Sequence, residues 1–284
     1  MEDRDQSTAG AIQTLGLIAG NGVYPRLLAE AARQHGVTRI HALAFKGETE
    51  RALARVVDQI TWLRLGQLEQ LLGAVRSSGL RDFVMVGQIT PTRLYTVLPD
   101  RRLLTLLRGL PQRNAHTIYG ALIAELQAAG AVFHPAHLFM DSARPAAGQL
   151  SARAPDEREW ADIRLGLTVA RQVSRLEIGQ TVVIKEGTVL AVEAFEGTDA
   201  AILRAGRLGR GGLVVVKVAK QGHDMRFDIP VIGQRTLRTL RRAGVSALAV
   251  EAERAIILER DAVVAAANTM NLAWVALPAE GAVQ

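Results

Sequence analysis

Residues 217–233 read Lys-Val-Ala-Lys-Gln-Gly-His-Asp-Met-Arg-Phe-Asp-Ile-Pro-Val-Ile-Gly. Six ionisable side chains fall within twelve positions: Lys217, Lys220, His223, Asp224, Arg226 and Asp228. Cations donate to phosphate oxygens, and carboxylates ligate hard divalent ions. The mixture therefore suits a phosphate, a metal ion, or both together. The competing reading is a surface loop whose charges neutralise one another. Its flanks are apolar. Leu213, Val214, Val215 and Val216 precede it as a buried-strand pattern, and Ile229-Pro230-Val231-Ile232 follows it.

A second acidic cluster lies upstream, in Glu193-Ala194-Phe195-Glu196-Gly197-Thr198-Asp199. It closes an apolar strand pattern and opens a helical one. Thr198 or Asp199 is a natural helix cap. Capping needs one of them and leaves Glu193 and Glu196 unexplained. Three carboxylates near a helix start and near Arg204 suit a metal or hydroxyl-binding site. Hard oxygen ligands in a chain without cysteine favour Mg²⁺ or Mn²⁺ over zinc.

Gly20-Asn21-Gly22 stands between the first strand pattern and the first helix pattern, where helix N–H groups attract anions. The dinucleotide fingerprint fails there. Its third glycine is missing, and no carboxylate ends the second strand, which runs into Ala44-Phe45-Lys46-Gly47. An anion site and a sterically required tight turn both remain readings. His134 and His137 lack the partners of a zinc motif, His35 is expected in solvent, and no serine-hydrolase elbow occurs.

These groups must be positioned by an α/β framework. Strands are expected at 15–19, 40–45, 82–86 and 134–140, and helices at 25–34, 67–76, 103–108 and 116–129. That alternation indicates a doubly wound parallel sheet. Composition shifts near Asp141, and 143–148 with 154–156 read as linker. A connecting helix at 162–174 follows, then β-branched strands at 181–185 and 188–195 around the Glu186-Gly187 hairpin turn. Helices at 199–206, 235–243 and 262–268 alternate with strands at 213–216, 247–250, 255–258 and 274–277. The expected organisation is a loose tail at 1–13, a Rossmann-like N-terminal domain at 14–144 and a mixed α/β domain at 145–284.

The 284 residues are 49% hydrophobic and carry a formal charge of +6. Only four of the 34 basic residues are lysine, at 46, 185, 217 and 220. Arginine suits phosphate recognition, and a positive field favours an anionic ligand or membrane surface. Aromatics at 4%, with no basic–aromatic run, argue against nucleic acid. The polar N-terminus, the lack of a spanning apolar run and the absence of cysteine lead to an expected cytoplasmic location.

Four segments together resemble one family. Leu15-Gly16-Leu17-Ile18-Ala19-Gly20-Asn21-Gly22 opens like it, and Leu176-Glu177-Ile178-Gly179-Gln180-Thr181-Val182-Val183 resembles its Asp-Ile-Gly-Gln entry to the second domain. Residues 189–200 and the Asp224 to Gly233 run, similar to Arg-x-Asp-x-Pro-x-Ile-Gly, complete the match. The family is the UDP-2,3-diacylglucosamine pyrophosphatases of the LpxI type, in lipid A biosynthesis. The resemblance implies two domains enclosing a nucleotide-linked lipid, hydrolysed with a divalent cation to UMP and 2,3-diacylglucosamine 1-phosphate. It places the catalytic aspartate on Asp228, with Asp224 as its acidic neighbour and both as metal ligands. Gly20, Asn21, Gly22, Glu193, Glu196, Gly197, Thr198, Asp199, Lys217 and Arg226 become the substrate contacts. Peripheral contact with the inner membrane and self-association are compatible partners. Where relatives carry Gly-Asp-Asp, this chain has Asn114-Ala115-His116-Thr117, and His223 replaces a glutamine. That departure keeps an alternative in view, a non-hydrolytic protein binding a nucleotide-sugar or an anionic lipid.

Overall fold

The computed structural model describes residues 12–88, 97–112, 114–219, 224–226 and 229–279. The chain divides into two units. One runs up to Asp141 and includes Asp224, Met225 and Arg226; the other comprises Ser142 to Ala219 and Ile229 onward.

The first unit is a parallel sheet. Its strands are β1 (Thr14–Ala19), β2 (Arg39–Phe45), β3 (Gln59–Leu63), β4 (Asp82–Val86) and β5 (Val132–Phe133), in the order β3-β2-β1-β4-β5. Helices α1 (Tyr24–Gln34), α2 (Leu68–Ser78), α3 (Arg101–Gly109) and α4 (Ala115–Ala128) make the crossovers. Apolar runs such as Leu-Ile-Ala and Ala-Leu-Ala-Phe are buried on both faces, as parallel strands require. Gly79, with φ of 65°, terminates α2 in the left-handed conformation. Ile12 is already buried, and the Gln13 carbonyl accepts from the Thr38 and Arg39 amides. The expected tail is therefore tied to the sheet at its last two residues, and the rest of it lies outside the described residues.

Two expectations change here. No strand runs from 134 to 140. β5 stops at Phe133, and a turn follows in which Leu138 N–H donates to the Pro135 carbonyl and Met140 N–H to the His137 carbonyl. Pro135 has no N–H for a ladder, and Phe139 takes a positive φ of 68°. Conversely, β3 was not expected. Its half-exposed edge position removes the apolar alternation that marks a strand.

The second unit is a six-stranded mixed sheet, in the order β6-β13-β11-β9-β7-β8. Its strands are β6 (Gly148–Gln149), β7 (Thr181–Lys185), β8 (Thr188–Val192), β9 (Leu213–Lys217), β11 (Val245–Glu251) and β13 (Ala273–Leu277). A separate parallel pair joins β10 (Val231–Ile232) to β12 (Ile256–Ile257). Helix α5 (Glu157–Arg175) covers one face against Val182, Ile184, Val214 and Val216. Helices α6 (Thr198–Gly209), α7 (Gln234–Ala243) and α8 (Arg260–Thr269) cover the other, against Val183, Val215, Leu248 and Trp274.

The hairpin forms as expected, with Glu186 and Gly187 at φ of 50° and 75°, the pair of positive angles that matches strand twist. Part of the expected linker is structure instead. Gly148 and Gln149 pair antiparallel with Ala276 and Val275. Asp156 caps α5 in a reciprocal box with Glu159. The linker composition concealed a short edge strand and a strong helix start.

Candidate functional site

Strands β9, β11 and β13 are mutually parallel, so their carboxyl ends form one edge of the second sheet. Ligands of open α/β sheets bind at such an edge. Lys217 is the last residue of β9 and sits opposite Thr181, the first residue of antiparallel β7. Val182 sits opposite Val192, so the next residue of β8's chain, Glu193, falls beside Thr181; its amide donates to the Thr181 carbonyl at 2.8 Å. Glu193, Thr181 and Lys217 thus form one row across three strands. Side chains alternate along a strand, so this row faces the same way as Ala191, Val183 and Val215, toward α6. Apolar packing gives way to polar groups at the last layer.

Those groups are deeply buried. Thr181 is fully buried, and Glu193 and Lys217 are each 8% exposed. Thr198, the first residue of α6, joins them. Its hydroxyl donates to Glu193 Oε1 at 2.7 Å and accepts from Lys217 Nζ at 3.2 Å. The helix itself has no side-chain cap. Its N-cap is Gly197 at φ of 82°. The expected capping by Thr198 or Asp199 does not occur, because both side chains are engaged elsewhere. Uncapped first-turn N–H groups and a buried ammonium make this a place for negative charge.

The other acidic residues of the cluster are ion-paired. Glu196 meets Arg204 at 2.5 Å, which holds its carboxyl below the ordinary range. Arg204 also donates to the Val192 carbonyl at 3.1 Å, fixing the strand end. Asp199 meets Arg235 of α7 at 2.8 Å, tying together the first turns of two helices. Sequence reading did not find Thr181 or Glu251. Thr181 is named by register alone. Glu251 ends β11, 3% exposed, and accepts from Arg171 of α5 at 3.4 Å and from the Ala219 amide at 2.9 Å. It anchors the chain at the entrance to the charged loop.

The remaining expected residues lie in the other unit or outside the described residues. Asp224 and Arg226 form a closed pair: Arg226 Nε and Nη2 donate to the two carboxylate oxygens at 2.8 and 2.5 Å. Arg226 also reaches Gln127 of α4 at 3.3 Å, and the Met225 carbonyl accepts from the Ala136 amide at 2.7 Å. Lys220, His223 and Asp228 lie outside the described residues. Gly20 and Asn21 spend their amides on the next loop, donating to the carbonyls of Val86 and Gln88 at 2.8 Å. A Cβ on Gly20 would sit 2.6 Å from the Gly87 carbonyl oxygen. Glycine at 20 therefore permits this close backbone approach. Gly22 keeps a positive φ of 90°.

A divalent cation finds no prepared ligand set among the described residues. No three His, Asp or Glu side chains converge, and each oxygen of Asp224 already accepts from a guanidinium. No helix among the described residues is long and apolar enough to cross a membrane.

Residues 14–143 match the LpxI N-terminal domain, and residues 146–275 match the LpxI C-terminal domain. The chain belongs to the LpxI family. It is 32% identical over 276 residues to the UDP-2,3-diacylglucosamine pyrophosphatase LpxI of Caulobacter vibrioides, across 92% of this chain and 96% of that protein. Within this LpxI-family chain, the Asn114 departure has a local use. Asn114 is the N-cap of α4, and its side chain accepts from the Thr117 amide at 2.9 Å.

Proposed function

We propose that the chain hydrolyses UDP-2,3-diacylglucosamine to UMP and 2,3-diacylglucosamine 1-phosphate; its Caulobacter relative is named a UDP-2,3-diacylglucosamine pyrophosphatase. The observation that carries this reading is a family match extending through both halves of the chain. The site chemistry agrees with it. A pyrophosphate repels an incoming nucleophile with its own charge. Lys217, held against Thr198 at the uncapped start of α6, would offset that charge and the further charge of the transition state.

Asp228 is the proposed catalytic residue, on the strength of its place in the Asp224 to Gly233 signature. Mg²⁺ or Mn²⁺ is proposed with it, as a group that would neutralise phosphate oxygens. Asp224 is paired with Arg226, so its part is to hold Arg226 in place rather than to ligate the cation. Leu176, Ile178 and Phe195 are exposed by 70%, 49% and 59% where β7 begins and β8 ends, at the same edge as Lys217. We assign them contact with acyl chains at the cytoplasmic membrane face.

Binding without hydrolysis is favoured by one observation, the engagement of Asp199, Glu196 and Asp224 by arginines. The two readings separate in one assay. Purified protein with the lipid substrate should release UMP in Mg²⁺ or Mn²⁺ and stop in excess chelator. Substrate binding with no UMP at any metal concentration would establish the binding reading instead.

A further inference from the structure

Residues 220–228 carry the charged loop and the proposed catalytic Asp228. One short connection, residues 251–258 between β11 and α8, holds the chain at both ends of that loop. At the outgoing end, the register of β9 with β11 stops at Lys217 opposite Val250. Beyond it, the Val218 amide donates to the Gln180 carbonyl at 3.0 Å, on the β7 side. The next amide, of Ala219, is buried and donates to Glu251 Oε2 at 2.9 Å. A buried N–H must find an acceptor, and here a side chain supplies one where the paired carbonyls have ended. Glu251 Oε1 faces Arg171 of α5, with Nε and Nη2 both at 3.4 Å. At the returning end, the Ile256 amide donates to the Pro230 carbonyl at 2.8 Å and the Leu258 amide to the Ile232 carbonyl at 2.9 Å. The connection is itself tied down: the Ala252 amide donates to the Leu277 carbonyl, the Glu253 amide to the Pro145 carbonyl, and Arg144 to the Glu253 carbonyl.

The two ends are held in different ways. The returning end uses backbone groups, which any sequence supplies. The outgoing end depends on one carboxylate, only 3% exposed. Burying a charged group is costly unless it is paired and hydrogen-bonded, and the proposed reaction gives Glu251 no other task. Ala219 precedes Asp228 by nine positions and Pro230 follows it by two, so a loop pinned at both points has a short span in which to lose its setting. Lys217 lies within the sheet register and is held without Glu251. We infer that residues 251–258 set the position of the charged loop, and that Glu251 is a positioning residue that acts on Asp228 through the Ala219 amide. The inference rests on the proposed reaction for its kinetic readout and is independent of it for its structural one.

Amide hydrogen exchange followed by NMR, beside steady-state kinetics with the lipid substrate, tests it. In the wild type the Ala219 amide should exchange at least about a hundredfold more slowly than a free amide. Exchange at the free rate would overturn the tie without any variant, which decides the matter if a variant does not fold. Glu251→Leu should quicken exchange at Ala219 by at least about tenfold and leave Ile256 and Leu258 protected. Quickening of all three together would mean general loosening and would overturn the positioning role. The same variant should lower kcat by at least about tenfold with KM within about threefold, because the group displaced is Asp228 and Lys217 stays in place. Quickened exchange at Ala219 with kcat unchanged would also overturn that role. Glu251→Gln keeps the length and one acceptor for Ala219, and Arg171, 24% exposed, can turn to water. It should keep the protection of Ala219 and hold kcat within about threefold of the wild type. A loss as deep as that of Glu251→Leu would refute the Ala219 tie as the cause. The failure of the hydrolytic reading looks different. No UMP from the wild type, with Ala219 alone released by Glu251→Leu, would remove the hydrolysis and keep the tie. UMP from the wild type, with all three amides released together, would keep the hydrolysis and remove the tie.

Discussion

At the residue scale, the site is a matter of which buried groups have partners. Lys217 and Glu193 sit two strands apart and communicate through one hydroxyl, that of Thr198. Lys217→Met should therefore lower kcat/KM by about 10- to 100-fold, the worth of a charge-assisted hydrogen bond to phosphate, with the melting temperature nearly unchanged. Steady-state kinetics beside a thermal melt checks both. Gly179 supports the same site from behind. A Cβ there would lie 2.0 Å from the Glu193 carbonyl oxygen, which is backbone and cannot swing aside. Gly179→Ala should destabilise the protein by about 1–3 kcal/mol, as overpacking does, and reduce activity by displacing Glu193. A variant as stable and active as the wild type would refute the contact. The charged types at this site were readable in the sequence, because Lys217, Glu193, Glu196 and Asp199 announce themselves by type and spacing. Thr181 was not, since a threonine opening a strand has no chemical signature until register places it between Glu193 and Lys217. The pairing of Asp224 with Arg226 is what the competing reading of that stretch expects, charges that neutralise one another.

At the element scale, positions depend on helix starts and close packing. Asp156 and Glu159 form the box that begins α5, and Arg153 grips the buried Glu159 with two bonds of 2.8 Å while also reaching the Ser246 carbonyl. Burial works against the charged form of Glu159, but the bonds from Arg153 and the backbone prevail and hold its carboxyl below the ordinary range. A depressed folded-state value means that the stabilisation is complete above the unfolded-state value of about 4.3 and is lost as pH falls through the lower folded-state value. Stability should thus decline on acidification below about pH 4, and Glu159→Gln should flatten that decline while lowering stability at neutral pH. Denaturant melts across pH 3–7 measure it. Gly166 lets α5 lie against the sheet, since a Cβ would come within 2.4 Å of Val216 Cγ2 and 2.6 Å of Ile184 Cδ1. The strands and helices that carry the core were legible because long apolar runs and left-handed glycines such as Gly79 and Gly244 mark them locally. β3 and β6 were not, because an edge strand needs little apolar sequence and draws its stability from a neighbour.

At the scale of the whole molecule, the proposed lipid contact draws on a net positive charge and on exposed apolar side chains. The formal charge is +6, and Leu176, Ile178 and Phe195 stand exposed at the edge that holds Lys217. Sedimentation with vesicles containing anionic lipid should show binding that weakens as salt rises. Changing the three residues to serine should reduce it, and should reduce turnover of long-chain substrate more than that of a short-chain analogue. The grouping of Asp224 to Arg226 with the first unit was not legible in the sequence, because chain order gives no warning of it. Asp228 remains the residue on which the proposed reaction turns. The most direct measurement is UMP released from UDP-2,3-diacylglucosamine by wild type and by Asp228→Ala, at equal concentration in Mg²⁺, with melting curves for both. The hydrolytic account predicts release by the wild type and loss of at least about a thousandfold in a variant that melts normally. UMP release by Asp228→Ala at the wild-type rate would contradict it.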